Sequence, residues 1–438
     1  MLFSLARRVF GCFEAWIAAL FAVFCPIFLL YEGEILAETL VVFVNVAALR
    51  LLLWAHDRQT AGKSETSTAE RFFARNEETA RQKAPRTWWR FLLAGFVLGL
   101  CVLGRPNALL FVPVAAFWVL MAAPSWRSGW RAVAMVLLGT VLAMAPATAA
   151  NYFGGGEFVL VSKKGSWNLY IGNAYDATGT YARPPSMWNV VFKENANEAD
   201  IDWTPHLLAS VREHPWSLPR LLWTKTKLFW QSGEVPHIAN FYLKRAFSPF
   251  LRIPLAFGVI APLGLVGIVL TFLSKAHRRW RDGAVLLLLY LAVYSASIIL
   301  VFVLSRLRLP ALAVLMVFAS AALAAALRGS LYMMRALRKG DFRGALAFAV
   351  VPLAILIDWA GLGLALKSRD DQLLVRYIDH YNMGTGYEIK GLYAEAIEEY
   401  EAALKRAPFD LNVVEALREN IRMLEERIDT APGNHGPP

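Results

Sequence analysis

The sequence predicts an all-α polytopic membrane protein. About nine transmembrane helices, a large extracytoplasmic loop at 151–248 and a small helical hairpin in the carboxy-terminal tail are expected. Three observations predict this class. Hydrophobic residues make up 57% of the 438, whereas a soluble domain is nearer half apolar and disperses those residues at helical or strand spacing. Here they are gathered into long runs, most of them approaching the roughly 20 apolar residues that cross a ~30 Å hydrocarbon core. The basic residues collect between alternate runs, as expected when cytoplasmic segments retain Lys and Arg. The period-two alternation of a membrane barrel is absent, so the spans should be helices, which satisfy their own backbone.

The runs are 15–31, 35–54, 91–104, 108–123, 132–150, 252–273, 284–304, 310–327 and 344–366. Arg7 and Arg8 precede the first. Arg71, Arg75, Arg81, Lys83, Arg86 and Arg90 follow the second, and Arg127 and Arg131 follow the fourth. Lys275, Arg278, Arg279 and Arg281 follow the sixth, and Arg328, Arg335, Arg338, Lys339 and Arg343 follow the eighth. With nine spans and a cytoplasmic amino terminus, every cluster falls on the cytoplasmic side. The net charge of +11 is therefore a topology signal, and no nucleic-acid partner is expected. The other face receives 31–34, 105–107, the long loop, 305–309 and the tail from 367.

Runs 91–104 and 108–123 are short, and read as two thin helices or one re-entrant hairpin. Gly95 and Gly99 form a small-xxx-small pair suited to close helix packing. Pro26 and bulky residues occupy the place of a signal-peptide cleavage site, so the first run should remain as a span. Cys12, Cys25 and Cys101 lie in or beside apolar runs, with no disulfide or zinc spacing.

Two pieces lie outside the spans. In the loop, Phe158–Ser162 reads as a short strand, and 205–230 as amphipathic helices with Trp216, Leu222, Trp223 and Trp230 at the lipid interface. In the tail, Gly384, Tyr387, Gly391, Tyr393, Ala396, Tyr400, Ala403 and Pro408 stand at the offsets of one tetratricopeptide repeat. Segment 411–427 reads as a further, capping helix. The membrane domain is placed at 1–368 and the repeat at 369–438, where the repeat either binds a protein partner or stands as a solvated hairpin.

Polar residues at membrane depth are costly, so they are the first candidates for function. Glu32, Glu34 and Glu38 cluster between the first two runs, with Glu34 and Glu38 expected on one helix face at i, i+4. Such carboxylates hold a metal, act as a base or orient a hydroxyl; a solvated turn is the alternative, favoured for Glu32. Arg105-Pro106-Asn107 places an arginine against the charge bias, which anion binding or snorkelling explains. Ser305-Arg-Leu-Arg-Leu-Pro310 repeats the anomaly with Arg306 and Arg308, and Lys163 and Lys164 add charge on the same face. Asp358 in the last run reads as a packing partner, and the pair Glu234 and His237 is a weak metal signal. No HExxH, phosphate loop or Ser-His-Asp set is present.

The order of several motifs resembles the GT-C membrane glycosyltransferases, in their protein O-mannosyltransferase-like and aminoarabinose-transferase-like branches. They are Leu5-Ala-Arg-Arg-Val-Phe-Gly11, Tyr31-Glu-Gly-Glu-Ile-Leu-Ala-Glu-Thr39, Gly99-Leu-Cys-Val-Leu-Gly-Arg-Pro-Asn107, Ser166-Trp-Asn-Leu-Tyr-Ile-Gly-Asn173 with Gly179-Thr-Tyr181, and Ser305–Pro310. The resemblance covers most of 1–330. It implies transfer of a sugar from a polyprenyl-phosphate donor to a lipid, glycan or protein acceptor at the outer face of a bacterial inner membrane. It also implies that Glu38, Arg105, Asn168, Arg306 and Arg308 line the substrate cavity. Members of the family carry a catalytic acid in an earlier outer loop, and this chain begins at what resembles the turn after that segment. The catalytic residue is therefore unassigned, the chain is expected to be incomplete at its amino terminus, and no metal ligands are assigned although a divalent ion stays open. The alternative is an inactive membrane scaffold that recruits an envelope partner through its tail.

Overall fold

A computed structural model describes residues 1–34, 36–72, 88–156, 158–161, 164–198, 200–273, 281–338, 377–406 and 411–429. Every regular element among them is helical. The chain divides into two units. The first is Met1–Ser232 with Ile253–Lys367, and the second is Gly233–Arg252 with Ser368–Pro438. A piece of the long loop thus belongs with the tail.

The first unit opens with α1 (Leu2–Val9), α2 (Cys12–Phe24) and α3 (Pro26–Gly33). The run expected as one span at 15–31 is bent by 50° where α2 meets α3. Pro26 explains the break: it has no N–H to donate to the preceding turn, and it sits at the first position of α3, where none is needed. Then come α4 (Glu38–Phe72), α5 (Trp88–Gly104), a 3-10 turn (Pro106–Leu110), α6 (Phe111–Ala122) and α7 (Trp126–Gly155). The loop helices are α8 (Gly165–Asn173), α9 (Pro185–Glu194), α10 (Trp203–Glu213) and α11 (Ser217–Trp230). Three further apolar helices are described in this unit: α13 (Phe257–Leu273), α14 (Arg281–Ile299) and α15 (Ser305–Arg338).

Among the described residues, four helices are long and apolar enough to cross a membrane, namely α4, α7, α14 and α15, and the bent α2–α3 pair makes a fifth candidate. The shorter apolar helices are Trp88–Gly104, Pro106–Ala122 and Phe257–Leu273. Run 344–366, with Asp358, lies outside the described residues, as do Lys163 and Pro408. These helices describe a multi-pass membrane protein.

Glycines let the short helices approach their neighbours. A Cβ on Gly95 of α5 would lie 2.1 Å from the Val136 carbonyl oxygen of α7, and one on Gly139 of α7 would lie 2.1 Å from the Leu92 oxygen. The two backbones interlock, and the Thr140 hydroxyl donates across the seam to the Gly95 oxygen at 3.1 Å. Apolar α13 docks on α15 in the same way through Gly267, whose added Cβ would meet the Phe318 oxygen at 1.9 Å. Helix α15 is the core of the bundle, with Leu309 and every residue from Ala311 to Ala319 buried. Small side chains at close crossings and polar groups as cross-links are the expected packing where lipid supplies no hydrophobic drive between helices.

Polar contacts gather at the two ends of this bundle. At one end Arg8 pairs with Asp57, Arg50 Nε donates to Ser4 Oγ at 2.9 Å, and Arg328 meets buried Glu14 at 2.6 Å. Trp118 Nε1 donates to the Asp282 oxygen at this end, at 3.1 Å. The other end carries Glu38, Arg105, Asn107 and Arg306. Helices α4, α14 and α15 each contribute to both ends, so they traverse the bundle in alternating directions.

Two expectations are corrected. Residues 158–161 are not a strand; Thr148 Oγ1 and Asn151 Nδ2 of α7 donate to the Leu160 and Val159 oxygens at 2.9 and 3.0 Å. Those carbonyls are taken by side chains, and no strand is described for them to pair with. Glu34 and Glu38 do not share a helix face, because Glu34 caps the end of α3 and Glu38 opens α4. Helices α10 and α11 do occupy the expected amphipathic segment, with Trp216 and Trp223 exposed.

The second unit contains α12 (Phe241–Phe247), a 3-10 turn (Pro249–Arg252), and three tail helices: α16 (Tyr377–Ile389), α17 (Tyr393–Arg406) and α18 (Leu411–Asp429). The tail has its own core of Ala396, Tyr400, Ala403, Leu417 and Leu424. Gly384 lies against the Tyr400 ring, and Gly391 turns the chain between α16 and α17 at φ 74°. Asn240 joins the two pieces. Its Oδ1 caps α12 by accepting from Tyr242 and Leu243 N–H, while its Nδ2 donates to Asp379 at 3.0 Å.

Candidate functional site

Three helix ends place the central residues. Glu38 is the first residue of α4, Arg105 follows the last residue of α5, and Arg306 lies in the first turn of α15. Arg105 Nη2 and Arg306 Nη1 both donate to Glu38 Oε1, at 2.8 and 3.1 Å. The Glu38 side chain is 4% exposed, against 14% for Arg105 and 23% for Arg306. Burial of the carboxylate makes these charge-assisted bonds stronger than exposed ones, and the arginines keep a path to solvent. Both guanidiniums also hold a buried Nε that no residue among those described accepts from. Asn107 braces the same end by donating to Ser297 Oγ of α14 at 2.8 Å.

An apolar groove of about 310 Å³ lies beside this cluster. Thr39, Val42 and Val46 line it from α4, and Leu309 and Ala313 from α15, with Glu32 at its edge. Val42 is one turn beyond Glu38, and Leu309 one turn beyond Arg306, so the groove continues along the same helix faces. A wider apolar groove of about 530 Å³ runs along α7 from Val141 to Tyr152, with no charged residue in its wall. Of these two, the first lies within a helical turn of convergent polar groups, and an apolar channel with such groups is the usual form of a binding site.

Two other expected site residues, Arg308 and Asn168, are not among the hydrogen-bond partners of Glu38. Arg308 is 1% exposed and spends its guanidinium on structure. It donates to the Phe229 and Gln231 oxygens at 3.0 Å each and lies 4.1 Å over the Phe257 ring. Two residues apart on a helix point about 200° apart, which separates Arg306 from Arg308. Asn168 is half-buried on α8. Its neighbour Trp167 packs edge-on to Tyr181 at 5.9 Å, with Lys164 5.9 Å from the Trp167 ring. Burial raises the Tyr181 hydroxyl above its ordinary range, while the charges of Arg183 and Arg306 oppose the shift. Tyr181 also packs edge-on to Phe302 at 5.1 Å, four residues before Arg306.

Sequence reasoning missed Lys225. It is fully buried in α11 and donates to Asn173 Oδ1 at 2.6 Å and to the Gly172 and Val301 oxygens at 3.1 Å each. Burial pushes its ammonium down to about 8. Asn173 Nδ2 in turn donates to the Leu300 oxygen at 3.0 Å, and Val303 N–H to the Gly179 oxygen at 2.9 Å. The loop is thereby bound to segment 300–304, which leads directly into Arg306. One signal was available: Leu221, Lys225, Leu228 and Phe229 share a helix face, so the lysine stands within an apolar stripe.

Among the described residues, no group of three or more His, Cys, Asp or Glu gathers to hold a metal ion. Comparison of the chain with protein families, curated proteins and solved structures gave no match.

Proposed function

We propose that the chain is a membrane glycosyltransferase of the GT-C type, moving a sugar from a polyprenyl-phosphate donor to an acceptor at the outer face of a bacterial cytoplasmic membrane. The observation that carries the reading is the meeting of Arg105 and Arg306 on Glu38, within one helical turn of the Val42 and Leu309 walls of an apolar groove. A lipid-linked phosphosugar is an anion on an apolar tail. The tail suits the groove, and guanidiniums are the cations best shaped for phosphate. The order of the sequence motifs supports the same class. No catalytic acid is assigned, and lipid, glycan and protein acceptors all remain candidates.

In this reading the charge clusters put the arginine end outside, and nine spans return the tail to that face. The Asn240–Asp379 bond supports a shared face for the tail and the segment before α13. The buried small residues of α17 support the tetratricopeptide assignment.

The test uses the full-length protein in vesicles with undecaprenyl-phosphate sugars. Wild-type protein should bind them and turn them over, and Arg306→Ala should lower both by at least about a hundredfold. Binding unchanged in Arg306→Ala would remove that arginine from the site. The second reading, a scaffold that recruits an envelope protein, is favoured by the tail's separate core and by exposed Ile389 and Leu392 at its turn. Deleting 371–438 should then change the co-purifying envelope proteins, whereas Arg306→Ala should not.

A further inference from the structure

Unopposed cations would hold a lipid phosphate most tightly, yet a buried carboxylate stands between the two arginines. Glu38 accepts from both guanidiniums and is 4% exposed, so solvent does little to screen it. Two guanidiniums and one carboxylate carry a net charge of +1. Each arginine still has a buried Nε without a partner among the described residues, so donor capacity remains for a ligand after Glu38 is served. Glu32 adds a second carboxylate at the edge of the groove.

We infer that Glu38 tunes the ligand charge this site accepts, cancelling one guanidinium and so weakening a dianionic phosphomonoester of a long-chain alcohol more than the monoanionic phosphodiester. The inference rests on the function proposed above and assigns Glu38 a role in product release. In the transfer, the acceptor hydroxyl oxygen bonds to the anomeric carbon. The bond from that carbon to the phosphate oxygen breaks and leaves its electron pair on the phosphate, while the hydroxyl proton passes to water. A diester with one negative charge becomes a monoester with nearly two at neutral pH, since the second phosphate pKa is near 6. The added charge meets a site of net +1 rather than +2, because Glu38 offsets one guanidinium in poorly screened space. One fixed charge thus limits how tightly the product is held. Glu38 acts here as a specificity-determining residue.

Binding measures this without any sugar or turnover. The probes are undecaprenyl phosphate and its methyl diester, offered to full-length protein in nanodiscs at about pH 7.5. Glu38→Gln, which keeps an oxygen acceptor for the arginines, should tighten the monoester at least about tenfold more than it tightens the methyl diester. Glu38→Asp, which keeps the charge, should leave the ratio of the two affinities as in wild-type protein. A Glu38→Gln shift of both affinities by the same factor, or of neither, overturns the inference. Glu38→Ala, also neutral, reads the same ratio should the glutamine variant not fold. If wild-type protein binds neither probe, the lipid-phosphate reading itself fails and the inference falls with it.

Discussion

The Lys225 ammonium lies 2.6 Å from Asn173 Oδ1, with no part of the lysine reached by solvent. This contact fastens α11 to α8, and through the Val301 oxygen it holds the segment that carries Arg306. Lys225→Met keeps the bulk but strands three acceptors. We expect a loss of about 1–3 kcal/mol, the usual cost of unsatisfied buried groups, read as a lower unfolding midpoint in detergent. An unchanged midpoint would mean that the fastening contributes nothing.

The same lysine predicts a pH dependence. Its folded value of about 8 lies below the ordinary 10.5. Between those values the unfolded chain binds more protons than the folded one, so stability rises with pH across that window. Below about 8 both states are protonated, and the cost of burying the charge is carried in full. Unfolding midpoints measured from pH 7.5 to 10 should climb for wild-type protein, and Lys225→Met should flatten that slope.

Arg306 and Arg308 should separate function from stability. Arg308→Ala strands the Phe229 and Gln231 oxygens and removes a cation from the Phe257 ring. It should cost at least about 2 kcal/mol of stability. Arg306→Ala leaves Glu38 its bond from Arg105, so it should cost less stability than Arg308→Ala while lipid-phosphate binding falls. Equal destabilisation by both would assign Arg306 a structural role as well.

Gly95 tests the α5–α7 seam. Any side chain there drives into the Val136 carbonyl and breaks the Thr140 bond to the Gly95 oxygen. Gly95→Val should lower stability by about 1–3 kcal/mol or more. Gly33→Ala is a control, because a Cβ at Gly33 meets nothing within 4 Å. Similar melting of the two variants would contradict the close packing.

Asn240→Asp is nearly isosteric and preserves the α12 cap, since Oδ1 still accepts from Tyr242 and Leu243. It replaces the donor facing Asp379 with a carboxylate oxygen. The tail should loosen and exchange amide hydrogens faster across 377–389, and the added change Asp379→Asn should reverse this. Unaltered exchange in Asn240→Asp would show that the tail is held by other contacts.

Much of the architecture was legible because membrane crossing is written locally. A span needs a run of apolar residues, and its length is set by the bilayer, so the described runs could be placed before any contact was known. Pro26 was legible too, although its effect was read as the lack of a cleavage site and not as a 50° bend. The strand expected at 158–162 failed because β-structure needs a partner strand, which a local pattern does not supply. Glu34 and Glu38 failed as a pair because the helix boundary falls between them.

The sequence by itself determined the helical class, the apolar runs and the residue types that call for explanation at membrane depth. Only the tertiary structure decided which of those residues meet. Arg105 and Arg306 converge on Glu38 from separate helices, whereas Arg308 turns to backbone carbonyls and Lys225 emerges as a buried fastening. The reason is geometric: a hydrophobic run fixes that a helix forms, but its rotation and its neighbours are set by packing across the whole bundle.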